Sequence, residues 1–158
     1  MDRADENPVR QLRVVVEADD YDEAVRFFRD VLGMPELAAF AEGGDDRVAI
    51  LDAGRATLEL ASPAHKRMID RVEADGAVSP SVRLAFEVDD SEATTDRLEA
   101  AGARVVARPV LTPWRSLNAR LDVPAGLQVT LFQETETTAE RAAREGFATE
   151  EGRDPGEP

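Results

Sequence analysis

LRVVVEADDYDEA, residues 12–24, is written a second time as VRLAFEVDDSEA, residues 82–93. Arg13, Glu17, Asp19 and Asp20 fall on Arg83, Glu87, Asp89 and Asp90 at a constant offset of seventy positions. In the first copy, alternation with period two puts Leu12, Val14 and Val16 on one face and Arg13, Val15 and Glu17 on the other, which predicts a strand over 12–17. Asp20 followed by Glu23 opens a helix, Ala24, Phe27, Phe28, Val31 and Leu32 recur at helical spacing, and Gly33 supplies a stop. A helix over 21–32 is therefore expected. Three short strands should follow, at 37–41, 47–51 and 56–61, the last two separated by the turn DAGR.

The second copy repeats this order. It predicts a strand at 82–88, a helix at 91–101 ended by Gly102, and strands near 105–107, 115–122 and 127–132, with VPAG turning between the last two. Leu58, Glu59 and Leu60 fall on Val129, Thr130 and Leu131 at an offset of seventy-one, one residue of drift being the size of a loop change. Agreement of sequence, element order and offset argues for two tandem β-α-β-β-β modules. The expected domain covers 10–133, with module 1 at 10–61, a linker at 62–80 and module 2 at 81–133. Within the linker, SPAHKRMIDRVEADG has serine at the N-cap position, proline at the first helical position, and Met68, Ile69 and Val72 at helical spacing. Residues 134–158 read as an acidic tail, with a frayed helix capped by Thr137 and Glu140 and a final EEGRDPGEP too polar to fold.

The 158 residues suffice for one compact domain without covalent staples. The absence of cysteine excludes disulfides, thiolate metal sites and cysteine nucleophiles. The N-terminal MDRADENPVRQ has neither the apolar run of a signal peptide nor a longer one able to span a bilayer, so a soluble cytoplasmic protein is expected. A net charge of -14 argues against nucleic acid and anionic membranes as partners, because binding a polyanion needs a basic footprint. Half of that charge lies in the two termini, which reads first as a solubilising acidic surface.

The stretch VEADDYDEAVRFFRDVLGM (residues 16–34), with RLAFEVDD, TLELAS and NARLDVPAGLQVTLFQ, resembles the glyoxalase, bleomycin-resistance and extradiol-dioxygenase superfamily, also called vicinal oxygen chelate proteins. The resemblance covers about residues 12–133. It implies an α+β fold of two tandem β-α-β-β-β modules whose curved mixed sheets enclose a cavity, with helices outside, and it implies a homodimer. It also implies a divalent metal at four strand positions, which here carry Arg13, Glu59, Arg83 and Thr130. Only Glu59 is a ligand of the family type. Arginine is permanently protonated and has no lone pair to offer, and threonine is a weak ligand. Composition agrees independently, since histidine-based iron or zinc sites need at least two imidazoles and this chain has one histidine, His65, read as a surface residue of the linker helix. No metal and no other cofactor is expected, and no serine triad, because the imidazole that would activate it is missing.

Parity sorts the strand side chains. Residues 12, 14, 58, 60, 84, 129 and 131 make a helix-facing apolar set, so Arg13, Glu59, Arg83 and Thr130 face the cavity. If Leu121 pairs with Leu127 in the last hairpin, Asn118 and Arg120 join them. Trp114, the only tryptophan, either stacks on a ligand at the cavity mouth or covers the core. Three arrangements of the charged set stay open: an ion-pair cluster of Arg13, Glu59 and Arg83 that plugs the former metal site, a guanidinium that binds a ligand carboxylate, phosphate or enolate, or arginines turned to solvent. The leading functional expectation is a metal-independent protein that binds a small organic molecule, with the arginines favouring an anionic one, in the manner of drug or metabolite sequestration and antibiotic resistance. The alternative is a lyase, isomerase or dioxygenase of the same superfamily, with Glu59 as general base or a metal held at unusual positions such as Glu17 and Glu87. A third is a dimerising module with an empty cavity.

Overall fold

The computed structural model describes residues 11, 13–43 and 46–143. The segment 150–158, Leu12 and most of the N-terminal stretch lie outside the described residues. The architecture is α+β, as expected. Its elements are α1 (Tyr21–Val25), which widens into a π-helical segment (Arg26–Val31), β1 (Glu36–Gly43), β2 (Asp46–Leu51), α2 (Pro63–Ala74) and β3 (Leu84–Glu87). They continue with α3 (Ser91–Ala100), β4 (Arg104–Leu111), β5 (Ser116–Val123), β6 (Leu127–Glu134) and α4 (Thr138–Ala142). Among the described residues no helix is long and apolar enough to cross a membrane.

The second module forms a four-stranded mixed sheet in the order β3-β6-β5-β4. β3 runs parallel to β6, with Leu84 opposite Val129 and Ala85 opposite Thr130, while β6, β5 and β4 are antiparallel. Leu121 pairs with Val129 rather than Leu127. That two-residue difference leaves parity unchanged, so Asn118 and Arg120 keep the face shared with Thr130. Two irregularities of register, between Val105 and Ala107 and between Ala107 and Val110, interrupt the β4 ladder. β4 is an edge strand, and Pro109 falls within the second irregularity, where it has no register partner.

The apolar face of this sheet buries Leu121, Val129 and Leu131 against Leu98 of α3 and Phe27 of the π-helical segment. Asp90 starts α3 as expected, its carboxylate accepting from the Ala93 amide at 2.9 Å, and Asp20 starts α1 in the same way from Glu23 at 3.0 Å. Phe27 and Phe28 pack edge to face with centroids 5.3 Å apart, and the Arg97 Nε donates to the Val31 carbonyl at 3.2 Å. The first module's helix therefore lies on the second module's core.

This placement corrects the first-module expectation. Among the described residues only the β1–β2 hairpin forms there, and residues 13–17 and 56–61 have no ladder partner. Val14, Leu58 and Leu60, expected to face a helix, are exposed, as is Val15. The physical reason is the position of the aromatic pair: Phe27 belongs to the other module's core, which leaves these strand sequences without an apolar surface to cover them. The tail helix does carry the expected capping box of Thr137 and Glu140.

Candidate functional site

The polar face of the second-module sheet is built by strand alternation. Arg120 on β5 stands opposite Thr130 on β6 and Ala107 on β4; Asn118 stands opposite Phe132 and Val110. Thr130 stands opposite Ala85, and Arg83 immediately precedes β3 on the same parity. Four of the seven expected site residues, Arg83, Asn118, Arg120 and Thr130, are thus brought to one face.

Arg120 is 0 % exposed, an unusual place for a guanidinium. The linker helix α2 makes that burial tolerable. Its Asp70 Oδ1 accepts from Arg120 Nη1 at 2.7 Å and its Glu73 Oε2 accepts from Nη2 at 2.7 Å, so each terminal nitrogen has its own carboxylate. Nη1 also donates to the Ala77 carbonyl at 3.3 Å. The second oxygen of Glu73 accepts from Asn118 Nδ2 at 2.6 Å, Asn118 Oδ1 accepts from Ser116 Oγ at 2.6 Å, and Ser116 Oγ lies 3.1 Å from Thr112 Oγ1. Asp70 Oδ2 takes the Ser79 amide at 3.2 Å and Lys66 Nζ at 3.4 Å. Burial raises the Asp70 pKa, but hydrogen bonds from Ser79 and Arg120, with the Arg120 charge, outweigh it and bring the value down to about 2.

Sequence reasoning missed Asp70, Glu73, Ser79, Thr112 and Ser116. The signal was present in α2, where Asp70 and Glu73, three residues apart, share the stripe that carries Ile69. An arginine in the middle of an apolar strand requires such partners. Pro63 at the first turn and Ser62, whose Oγ accepts from the His65 amide at 3.2 Å, set the helix start, and His65 is exposed as expected.

Three buried donors on or beside the polar face have no partner among the described residues: Nε of Arg83, Nε of Arg120 and Oγ1 of Thr130. Oε1 of Gln128, two residues before Thr130 on β6, is a buried acceptor in the same condition. Arg83 Nη1 donates to Ser79 Oγ at 3.3 Å, which joins it to the α2 network.

The other expected residues lie elsewhere. Arg13 is exposed and donates to Gln11 at 3.3 Å, and Glu59 is exposed in an unpaired segment. Among the described residues no ion pair includes Arg13, Glu59 or Arg83, so the ion-pair plug, one of the three arrangements left open, does not form in the single chain. The physical reason is that strands 13–17 and 56–61, which would carry Arg13 and Glu59 to a common face, are not laddered. Trp114 is half-buried in the turn closed by Thr112 and Ser116, whose backbone bond is 2.8 Å. An open depression of about 390 Å³ at the start of α3 is lined by Glu87, Asp89, Asp90 and Arg97, among others; it includes none of the seven expected site residues, and of the two alternative metal positions it holds Glu87 while Glu17 is exposed in the unladdered segment 13–17.

The residues at the four family metal positions do not fit a divalent cation. Two are guanidinium groups, one is a threonine, and the single carboxylate, Glu59, is exposed and joined to none of them. Among the described residues no group of three or more His, Cys, Asp or Glu side chains could hold a metal ion.

Comparison with solved structures agrees with the fold. TnmS3, an antibiotic binding protein from Streptomyces sp. CB03234, is 22 % identical, with 82 % of this chain and 99 % of that chain covered and a TM-score of 0.54. A superfamily member from Sphaerobacter thermophilus DSM 20745 is 18 % identical, with 80 % of this chain and all of the other covered (100 %) and a TM-score of 0.51. No curated protein matches the chain significantly. The family model described as the Glyoxalase/Bleomycin resistance protein/Dioxygenase superfamily matches residues 10–131, most of the chain, and both copies of the strand-helix phrase lie inside that match. The chain belongs to the glyoxalase, bleomycin resistance protein and dioxygenase superfamily.

Proposed function

We propose that this protein binds a small organic molecule through an oxyanion of that molecule, on the face carrying Arg83, Arg120 and Thr130, and that it does so without a metal. The observation that carries this reading is the set of three buried donors without a partner on that face. A buried donor left unpaired costs about 1–3 kcal/mol, so an acceptor brought from outside stabilises the folded chain. Guanidinium and hydroxyl donors suit a carboxylate, phosphate or enolate oxygen, and they oppose a cation. Sequestration of a drug or metabolite is the role that asks for least chemistry from these groups. An antibiotic-binding protein is among the chains that share the fold, so this architecture performs such a role elsewhere.

The binding unit in this reading is a homodimer. Residues 13–17 and 57–61 repeat sequences that pair in module 2 as β3 and β6, yet Val15 is 87 % and Leu60 is 86 % exposed. A second copy would cover them and bring Arg13 and Glu59 into a common site.

Thermal-shift measurements against acetate, succinate and inorganic phosphate, at matched ionic strength, test the site. Anions should stabilise the wild type and stabilise Arg83→Ala and Thr130→Val less. No stabilisation by any anion, or equal stabilisation of all three proteins, would overturn it. Metal analysis of protein purified without chelator tests the second half of the proposal. Stoichiometric, tightly held zinc, iron, manganese or nickel would favour instead a lyase, isomerase or dioxygenase with an unusual ligand set.

A further inference from the structure

The helix that covers this face is held there in an unusual way. α2 buries Ile69 and Ala74, but its other two buried side chains are Asp70 and Glu73. α2 is therefore seated on this face in large part by charge-assisted bonds to Arg120 and Asn118, which a ligand competing for the same donors weakens. The exposed segment 52–61 precedes it, and on its other side Asp75 and Gly76, in left-handed conformations at φ 51° and 87°, lead to Ala77 and Ser79, which are tied to Arg120 and Asp70 by the same network.

The charges are unequal as well. Two buried carboxylates meet one buried guanidinium, and Lys66, part-exposed and 3.4 Å from Asp70, supplies the remaining positive charge from the rim. Asp70 and Glu73 occupy the terminal nitrogens of Arg120 as two carboxylates of a ligand would.

We propose that α2 is a displaceable cover, its Asp70 and Glu73 carboxylates standing in for a ligand's on Arg120, so that α2 and a small dicarboxylate compete for one guanidinium. This rests on the oxyanion reading above. An incoming dicarboxylate takes the Arg120 nitrogens and α2 lifts; when the ligand leaves, α2 closes and shields the charge.

Hydrogen–deuterium exchange on the full chain, with succinate as the probe and chloride matching ionic strength, tests the cover. At saturating succinate the amides of residues 66–74 should exchange faster than in the free protein. Glu73→Gln keeps an acceptor for Arg120 and removes one competing charge, so it should bind succinate about tenfold more tightly by calorimetry, and Asp70→Asn should shift affinity in the same direction. If the wild type binds succinate while α2 exchange is unchanged or slower, or if Glu73→Gln binds no more tightly, the oxyanion site stands and the cover is refuted. If neither the wild type nor either variant binds succinate or phosphate, both readings fall. Should a variant not fold, as judged by circular dichroism, exchange in the wild type decides.

Discussion

Replacing Arg120 by methionine is the most direct test of what holds the two halves of this site together. The guanidinium is fully buried and makes two carboxylate bonds of 2.7 Å. Methionine preserves much of the volume and removes the charge. Glu73 then keeps only the Asn118 amide, and Asp70 keeps the Ser79 amide and the rim lysine. Breaking a buried ion pair from one side costs about 3–5 kcal/mol, because the remaining charges are left uncompensated. Against a total stability of about 5–15 kcal/mol this is a large fraction. With a urea slope of about 2 kcal/mol/M, the unfolding midpoint should fall by roughly 2 M. The loss should be mostly reversed in Arg120→Met combined with Asp70→Asn and Glu73→Met, because a neutral cluster has no charge to strand. Urea unfolding followed by far-ultraviolet circular dichroism measures all of these. If Arg120→Met alone costs less than about 1 kcal/mol, or if the combined variant is no more stable than Arg120→Met, the network is not the buried electrostatic unit inferred from its geometry.

Other expectations concern pH, assembly, turn geometry and core. Asp70, whose pKa falls from an unfolded value near 3.9 to about 2, contributes stability that is present above the unfolded pKa and lost as pH drops through 2. The urea midpoints of wild type and Asp70→Asn should therefore converge between pH 5 and pH 2, and parallel curves would contradict the assignment. Leu60→Glu together with Val15→Asp should convert a dimer to a monomer in light scattering; an unchanged mass for both proteins would remove these strands from the interface. Ala125 holds φ 68° in the β5–β6 turn, where a side chain costs roughly 1 kcal/mol, so Ala125→Gly should raise Tm by a few degrees, and a lower Tm would mean the turn is not strained. Leu98→Ala should destabilise by about 2–5 kcal/mol in the same urea assay, and a cost below 1 kcal/mol would show that the α3 seat collapses around the void.

Much of the second module was legible because local and non-local signals agree there. The alternation at Leu84, Val129 and Leu131 matches a sheet with one face against α3, and Asp90 caps the helix at the position its spacing predicts. The same alternation read Asn118, Arg120 and Thr130 onto one face despite a pairing guess two residues off, because parity survives any even shift. The first module carries equally good strand sequences at residues 13–17 and 56–61, yet they stand unpaired, because Phe27 packs in the neighbouring core. A period reports which side chains share a face, and it does not report which surface that face will meet.

Residue identity and spacing by themselves determined the order of elements in the second module, and the resemblance carried by the duplicated phrase, TLELAS and NARLDVPAGLQVTLFQ implied the superfamily and placed arginine at two of its metal positions. Only the tertiary structure decided where the arginines sit and what they touch. It separated Arg13 from Arg83 and supplied Asp70 and Glu73 to Arg120 from a linker about fifty positions away in sequence. Such a pairing leaves no mark in local periodicity. It arises because a buried guanidinium must find carboxylates wherever the folded chain brings them, and here the linker helix brings them.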